Sequence, residues 1–153
     1  TLLGGWQMNG LFSAYTGQPF TVSASGAALN APGSSQRADC LAPAQKIGTV
    51  NEWLSSSSFA PVLDPRFGTC GSNSLRGPGL LNLDLGIFRK FQVSERFDIQ
   101  LRAEAFNVSN TPHFNNPNSN VNSAAFMTIT GLKNTGREGI DERVFRLGLR
   151  IGF

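Results

Sequence analysis

The side chains best equipped for chemistry in this 153-residue chain are one histidine, two cysteines and a few carboxylates set among apolar residues. His113 stands in Thr111-Pro112-His113-Phe114-Asn115-Asn116-Pro117, a loop, and no second imidazole exists to complete a zinc cluster. It reads as structural. Cys40 and Cys70 are too far apart to form a Cys-x-x-Cys ligand pair. In a Gly/Ser/Pro-rich stretch they predict a disulfide and an oxidising compartment, closing a loop whose chain entropy is worth about 3–4 kcal/mol. The other reading is two free thiols. Asp84, Asp98 and Glu104 resemble paired acid–base carboxylates. Each, however, has Lys or Arg beside it along or across the strands inferred below, so salt-bridge ladders are expected instead. There is no Gly-x-Ser-x-Gly elbow, and Gly68 to Gly79 lacks the Gly-Lys-Ser/Thr ending of a phosphate loop. Asn107-Val108-Ser109 fits a glycosylation sequon. The expectation is a non-enzymatic chain with no catalytic residue, no cofactor and no metal.

The elements that carry these residues read as strands. From Phe145 onward every second residue is large and apolar: Phe145, Leu147, Leu149, Ile151, Phe153. Arg146, Gly148, Arg150 and Gly152 fill the gaps. Strict period two gives a strand with one greasy and one polar or small face, whereas a helix would scatter the arginines. Leu81, Leu83, Leu85, Ile87, Phe91 and Val93 repeat the pattern, as do Phe97, Ile99, Leu101, Ala103 and Ala105. Arg89 breaks the apolar face and Phe88 the polar one. Trp6, Met8, Gly10, Phe12 and Ala14 form a weaker first strand that the pattern extends through Phe20 to Val22. Gly4-Gly5 before it reads as a turn.

Parity sets the register between the second and third strands. To keep both greasy faces on one side, Val93 must oppose Phe97 across the three-residue loop Ser94-Glu95-Arg96. That places Phe88 opposite Arg102 and Gly86 opposite Glu104. The prediction is an all-β, antiparallel transmembrane β-barrel segment of about four meandering strands, roughly 6–22, 80–93, 97–108 and 143–153. Two long loops, 24–78 and 109–141, are predicted to be extracellular, and the 94–96 turn periplasmic. Trp53, Phe59, Phe67, Phe114 and Phe126 are candidate ligand contacts in the loops, with loop packing the first reading for each.

A soluble sandwich also has one apolar face per strand, and it stays a competing reading. Three features favour lipid. The polar face carries Asp84, Lys90, Asp98, Arg102, Glu104, Arg146 and Arg150, a mixed-charge set suited to a watery lumen. The apolar stretches have the nine to eleven residues that cross a bilayer at a tilt. Phe153 ends the cleanest apolar face, and Phe145, Leu147, Leu149, Ile151 and Phe153 together resemble the C-terminal signal read by barrel-assembly machinery. Arg89 is the exception; near the periplasmic end it is expected to snorkel. Four strands cannot close a barrel, so residues 1–153 are expected to be one segment, the C-terminal part of a larger barrel whose plug and N-terminal domains lie elsewhere; the other reading is assembly with further copies of the chain.

Composition agrees with this reading. Gly (17) and Phe (12) are abundant and only 15% of residues are charged, which suits turn-rich β-structure. A net charge of +3, spread along the chain, does not point to nucleic acid. No apolar run approaches the length of a spanning helix. The chain begins at Thr1 without a basic-then-apolar leader, so a signal peptide either lies upstream or was never there.

Specific segments also resemble a known family. Trp6-Gln7-Met8-Asn9-Gly10-Leu11-Phe12-Ser13-Ala14, followed by Thr16-Gly17-Gln18-Pro19-Phe20, looks like a late barrel strand of TonB-dependent outer-membrane receptors, closest to the Oar-like branch that carries a carboxypeptidase-regulatory-like domain. Leu75-Arg76-Gly77-Pro78-Gly79 with Asn82-Leu83-Asp84-Leu85 resembles the family's re-entry into the membrane. Glu95-Arg96-Phe97 with Gln100, Arg102, Glu104, Phe106-Asn107 and Asn110 resembles the next hairpin, and Trp53 with Ser58-Phe59-Ala60 a short loop element. The cysteine pair is less typical of the family. The resemblance implies a plugged barrel of about 22 strands that imports a scarce nutrient across the outer membrane. Its partners would be outer-membrane lipid, the remaining strands and plug, TonB through an upstream segment, and the barrel-assembly machinery. A passive porin or a surface adhesin would use the same strands.

Overall fold

The computed structural model describes residues 4–134 and 141–153. It divides into two compact units: a sheet unit of residues 1–15, 80–113 and 133–153, and a loop unit of residues 16–79 and 114–132. In chain order the strands are β1 (Trp6–Tyr15), β2 (Pro19–Phe20), β3 (Ser23–Ser25), β4 (Ser35–Arg37), β5 (Asp39–Cys40), β6 (Phe59–Ala60), β7 (Leu75–Arg76), β8 (Leu80–Gln92), β9 (Asp98–Phe106) and β10 (Val144–Gly152). Among the described residues the only helical elements are short 3-10 turns at Ala27–Leu29 and Ser56–Ser58, and no helix is long and apolar enough to cross a membrane.

The sheet unit is a four-stranded antiparallel sheet in the order β1-β8-β9-β10. Its register is the one that parity requires: Phe88 pairs with Arg102 and Gly86 with Glu104. The β8–β9 hairpin closes with the Val93 amide donating to the Phe97 carbonyl at 2.9 Å, around Ser94-Glu95-Arg96. Because the pairing matches odd with odd there and the even, apolar residues of β1 with the odd ones of β8, every strand presents its apolar set to one side. β9 ends at Phe106, short of the expected 108, because Asn107 adopts a left-handed backbone (φ 46°) that no strand continues. Tyr15 and Leu80 pair at one end of the sheet, and Phe106 and Val144 at the same end, so both long insertions leave from that end.

The first strand is shorter than expected. β1 stops at Tyr15, and β2 and β3 belong to separate two-stranded sheets, β2 with β7 and β3 with β4. A Cβ on Gly17 would overlap the Gly77 carbonyl, so two backbones cross where the strand was expected to run on. The apolar alternation misleads here because Phe20 and Val22 keep the parity of Trp6 and Phe12 while packing into another core.

That core belongs to the loop unit. Phe20, Val22, Trp53, Leu54, Phe59, Val62, Met127 and Ile129 are buried together with Ala24, Ala38 and Cys70. The two insertions are stitched by backbone bonds: Ser23 N–H to Ser119 O (2.8 Å), Val121 N–H to Ser23 O (2.9 Å), Trp53 N–H to Met127 O (2.9 Å) and Ile129 N–H to Val50 O (2.8 Å). The Trp53 indole N–H donates to Arg76 O at 2.9 Å, so its polar edge is satisfied inside the core. The two long loops are thus one folded body rather than separate irregular segments; residues 135–140 of the second lie outside the described residues.

Candidate functional site

The two faces of the sheet differ in kind. Phe145, Leu147, Leu149 and Ile151 remain 68%, 88%, 63% and 55% exposed, so no second layer covers them as a sandwich core would require. Trp6, Met8, Phe12, Leu81, Leu85, Ile87, Leu101 and Phe97 share their face and are likewise exposed. A continuous apolar band of this extent is far more than a soluble monomer presents to water. Ala103 pairs with both Ile87 and Leu147; being small, it leaves a furrow of about 390 Å³ lined by Trp6, Leu101 and Leu149 as well.

Arg89 interrupts this band, and the structure shows how. Rather than reaching outward, it is buried, with its guanidinium 5.0 Å from the centre of the Trp6 ring and 4.4 Å from that of Phe91. Trp6 is its register partner on β1 and Phe91 its same-face neighbour along β8. Aromatic faces attract a cation more strongly where water is scarce. The two rings stack on the guanidinium that breaks the apolar face.

The opposite face gathers the charges. Asn9, Gly86, Glu104 and Arg146 form one cross-strand row; Gln7, Phe88, Arg102 and Gly148 the next; then Lys90, Gln100 and Arg150; then Gln92, Asp98 and Gly152. Asp84 lies beyond Gly86 on β8. All seven charges read from the sequence thus share this face. One rung of the expected ladder is present in the pair of Lys90 and Asp98, at 3.4 Å. Arg102 lies 5.0 Å from the Phe88 ring and Arg146 5.2 Å from the Phe106 ring. A planar guanidinium stacks on a ring as readily as it forks a carboxylate. Asp84 accepts from the Asn82 amide (2.9 Å) and the Asn107 backbone N–H (2.9 Å), which fixes the end of β9. Asn9, Leu11, Asp84, Gly86, Glu104 and Phe106 line a depression of about 240 Å³ on this face.

His113 is buried, and its Nε2 meets the Leu81 carbonyl at 3.0 Å, which fits a structural role. It satisfies a strand carbonyl beyond the end of β9. Among the described residues no group of three or more His, Cys, Asp or Glu comes together as a metal site.

In the loop unit Cys40 and Cys70 form a disulfide (S–S 2.06 Å). Beside it lies a pair that sequence reading missed. Arg66 Nη1 and Nη2 donate to Asp39 Oδ1 and Oδ2 at 2.8 and 2.7 Å, and Thr69 N–H adds a bond to Oδ1 at 3.2 Å. The Arg66 fork holds the buried Asp39 carboxyl below its ordinary range, and Asp39 in turn raises Arg66. The Ser56 N–H and hydroxyl likewise lower Glu52. The signal for the first pair was adjacency: Asp39 precedes one cysteine and Arg66 falls four residues before the other. Of the aromatic contact candidates, Trp53 and Phe59 are in the core, while Phe114 and Phe126 pack against it. Only Phe67 remains largely exposed.

A family model for the outer membrane beta barrel domain matches residues 1–144. No curated protein and no solved structure matches the chain. A sheet with one uncovered apolar face and one charged face is the architecture such a domain needs, and four strands in an open sheet form part of a barrel rather than a closed one. The chain belongs to the outer membrane beta barrel domain family and resides in the outer membrane.

Proposed function

We propose that this chain supplies four strands and a folded loop module to a TonB-dependent uptake receptor. The apolar face meets lipid, and the face of Asp84, Lys90, Asp98, Arg102, Glu104, Arg146 and Arg150 lines the lumen. The long loops, 24–78 and 109–141, are extracellular and carry the ligand contacts. The chain is non-catalytic and works within a larger barrel holding a plug, with TonB reached through a segment outside residues 1–153. Phe145, Leu147, Leu149, Ile151 and Phe153 serve as the signal to the barrel-assembly machinery.

The observation that supports this reading above others is the joining of both insertions in one disulfide-tied body. A passive pore needs no such module, whereas a receptor needs a preorganised surface for a scarce ligand. The likeness of residues 6–20 and 75–110 to TonB-dependent receptors points the same way.

The test uses the full-length protein. Co-purification of TonB with it, together with a growth defect under nutrient limitation when TonB is lost, is the expected result. Swelling of proteoliposomes in neutral sugars, with no energy source, would instead identify a passive porin and sink the receptor reading. An adhesin would give neither result.

A further inference from the structure

We infer that the apolar face of the sheet carries a seat for one straight, saturated acyl chain of a membrane lipid, lying along β9 over Ala103 and Ala105. The inference rests on the reading in which this face meets lipid, and it adds which part of the face holds a lipid in place.

The seat follows from register and side-chain size. From Leu101 onward β9 presents two alanines in succession to the apolar face, Ala103 and Ala105. Ala103 stands between Ile87 and Leu147, and Ala105 between Leu85 and Phe145. The result is a low line with large side chains on both sides. Neighbouring strands are about 4.8 Å apart, so the two walls rise about 10 Å from one another. Carbon atoms touch at about 4 Å, so the space between the walls takes a single row of methylenes. The furrow of about 390 Å³ lies on this line at Ala103, bounded by Trp6, Leu101 and Leu149 where β9 turns large again. Ala103 is itself exposed, so the floor is open.

The walls are set before any lipid arrives. Trp6 is held against the Arg89 guanidinium, 5.0 Å from its ring. A Cβ on Gly10 would meet Leu85 Cδ2 at 3.1 Å, so Leu85 leans over Gly10 on β1 and away from Ala105. That lean fills the low place at Gly10 and widens the one on β9. The chain resides in the outer membrane, where lipid tails are as apolar as these walls and close packing decides what associates. A furrow with nothing in it forfeits the dispersion contacts of its lining. A second copy of the chain would have to approach through small residues, whereas Phe145 and Leu147 stand exposed on the rim. A slender tail needs no such approach. A cis double bond would bend the tail out of a furrow that runs straight along one strand.

The experiment strips the full-length protein of lipid in detergent and supplies dipalmitoyl or dioleoyl phosphatidylethanolamine. Native mass spectrometry then counts the lipids retained, with heat-modifiable gel mobility confirming that each variant is folded. The parent is expected to keep one more dipalmitoyl lipid than Ala103→Leu, whose side chain fills the furrow. The milder Ala103→Val should fall between the two. Ala14→Leu adds bulk on the same face, opposite Leu81 and outside the furrow, and should match the parent. Dioleoyl lipid should be retained less than dipalmitoyl by the parent and alike by Ala103→Leu. A parallel measurement separates the two claims. In liposomes, a Leu147→Cys thiol should be shielded from a membrane-impermeant reagent; if it reacts, the lipid reading of this face fails. If it is shielded but the Ala103 variants retain as much as the parent, or the parent keeps both lipids equally, the seat is overturned while the lipid reading stands. A dimer of the parent that Ala103→Leu breaks would also overturn it, by making the furrow a seam between copies.

Discussion

The two units of this chain solve opposite problems. The sheet unit turns its large apolar side chains outward and keeps its charges on the other face; the loop unit buries its apolar side chains and is surfaced with Asn, Ser and Gly. One is built for a medium that is itself apolar, so its greasy face needs no protein cover. The other is built for water and must enclose its own core. The same residue types therefore carry different energetic meanings in the two units. A Leu on β10 is stabilised by lipid, whereas Trp53 or Met127 is stabilised by close-packed neighbours.

Truncation of a core aromatic should expose this difference most strongly. Trp53→Ala removes a buried indole, its bond to Arg76 O and a cation–π contact with Lys46, at a cost of about 3–5 kcal/mol. Leu147→Ala, on the sheet's outer face, leaves no cavity because lipid refills the space. Hydrogen exchange resolved by peptide, on the full-length protein, should show the loop unit opening in the first variant and little change in the second. Comparable loss of protection from both would mean that the outer face is packed like a protein core.

The disulfide comes next. Separating Cys40 from Cys70 by serine substitution of both releases a loop of 30 residues, worth about 3–4 kcal/mol in the chain-entropy account. The expected result is proteolytic cleavage within 41–69, with the heat-modifiable gel mobility of the folded barrel retained. Loss of that mobility would show that the sheet depends on the loop unit for its assembly.

A charge scan across the sheet sharpens the comparison from the other side. Leu147→Arg places a guanidinium on the apolar face, at a cost of about 2–4 kcal/mol near mid-bilayer. Gln100→Arg adds the same group to the charged face. Folded yield in the outer membrane should fall for the first and hold for the second. Equal losses would remove the case for two different solvents on the two faces.

How much of this was legible beforehand follows from the same physics. Period two fixes a face, and parity across a three-residue turn fixes a register, so Phe88 against Arg102 could be read from Val93 and Phe97 alone. Nothing comparable exists in the loop unit. Its strands run two or three residues, too few for a period, and its core is assembled from segments about a hundred residues apart, such as Val22 and Met127. The disulfide could be inferred because cysteines are few; the Asp39–Arg66 pair beside it had only its nearness to the two cysteines as a signal, and any acid and base on such loops would otherwise look alike. On the charged face the residues were identifiable and their pairing was not. Phe88 lies directly opposite Arg102, whereas Phe106 lies diagonal to Arg146, and period and parity say nothing of whether a side chain leans along the strand or across it.

The smallest expected effect concerns that Asp39–Arg66 pair. Asp39 is buried, bonded twice by Arg66 and once by Thr69, and its carboxyl is lowered from the ordinary value of 3.8, the Arg66 bond being the largest cause. A carboxylate with a depressed folded-state value stabilises the fold wherever it is ionised in both states, which is above that ordinary value. The contribution fades as pH falls through 3.8 and is lost once pH passes below the depressed value. The loop unit should therefore hold its exchange protection steady from neutrality down to mild acid and lose some of it only below that point. D39N keeps the shape but removes the charge, so its protection should be lower at neutral pH and flatter with acid. The sheet unit's protection should follow the parent profile in both proteins. A parent whose loop unit opens no more readily in strong acid than D39N does would show that the Asp39–Arg66 pair contributes nothing to its stability.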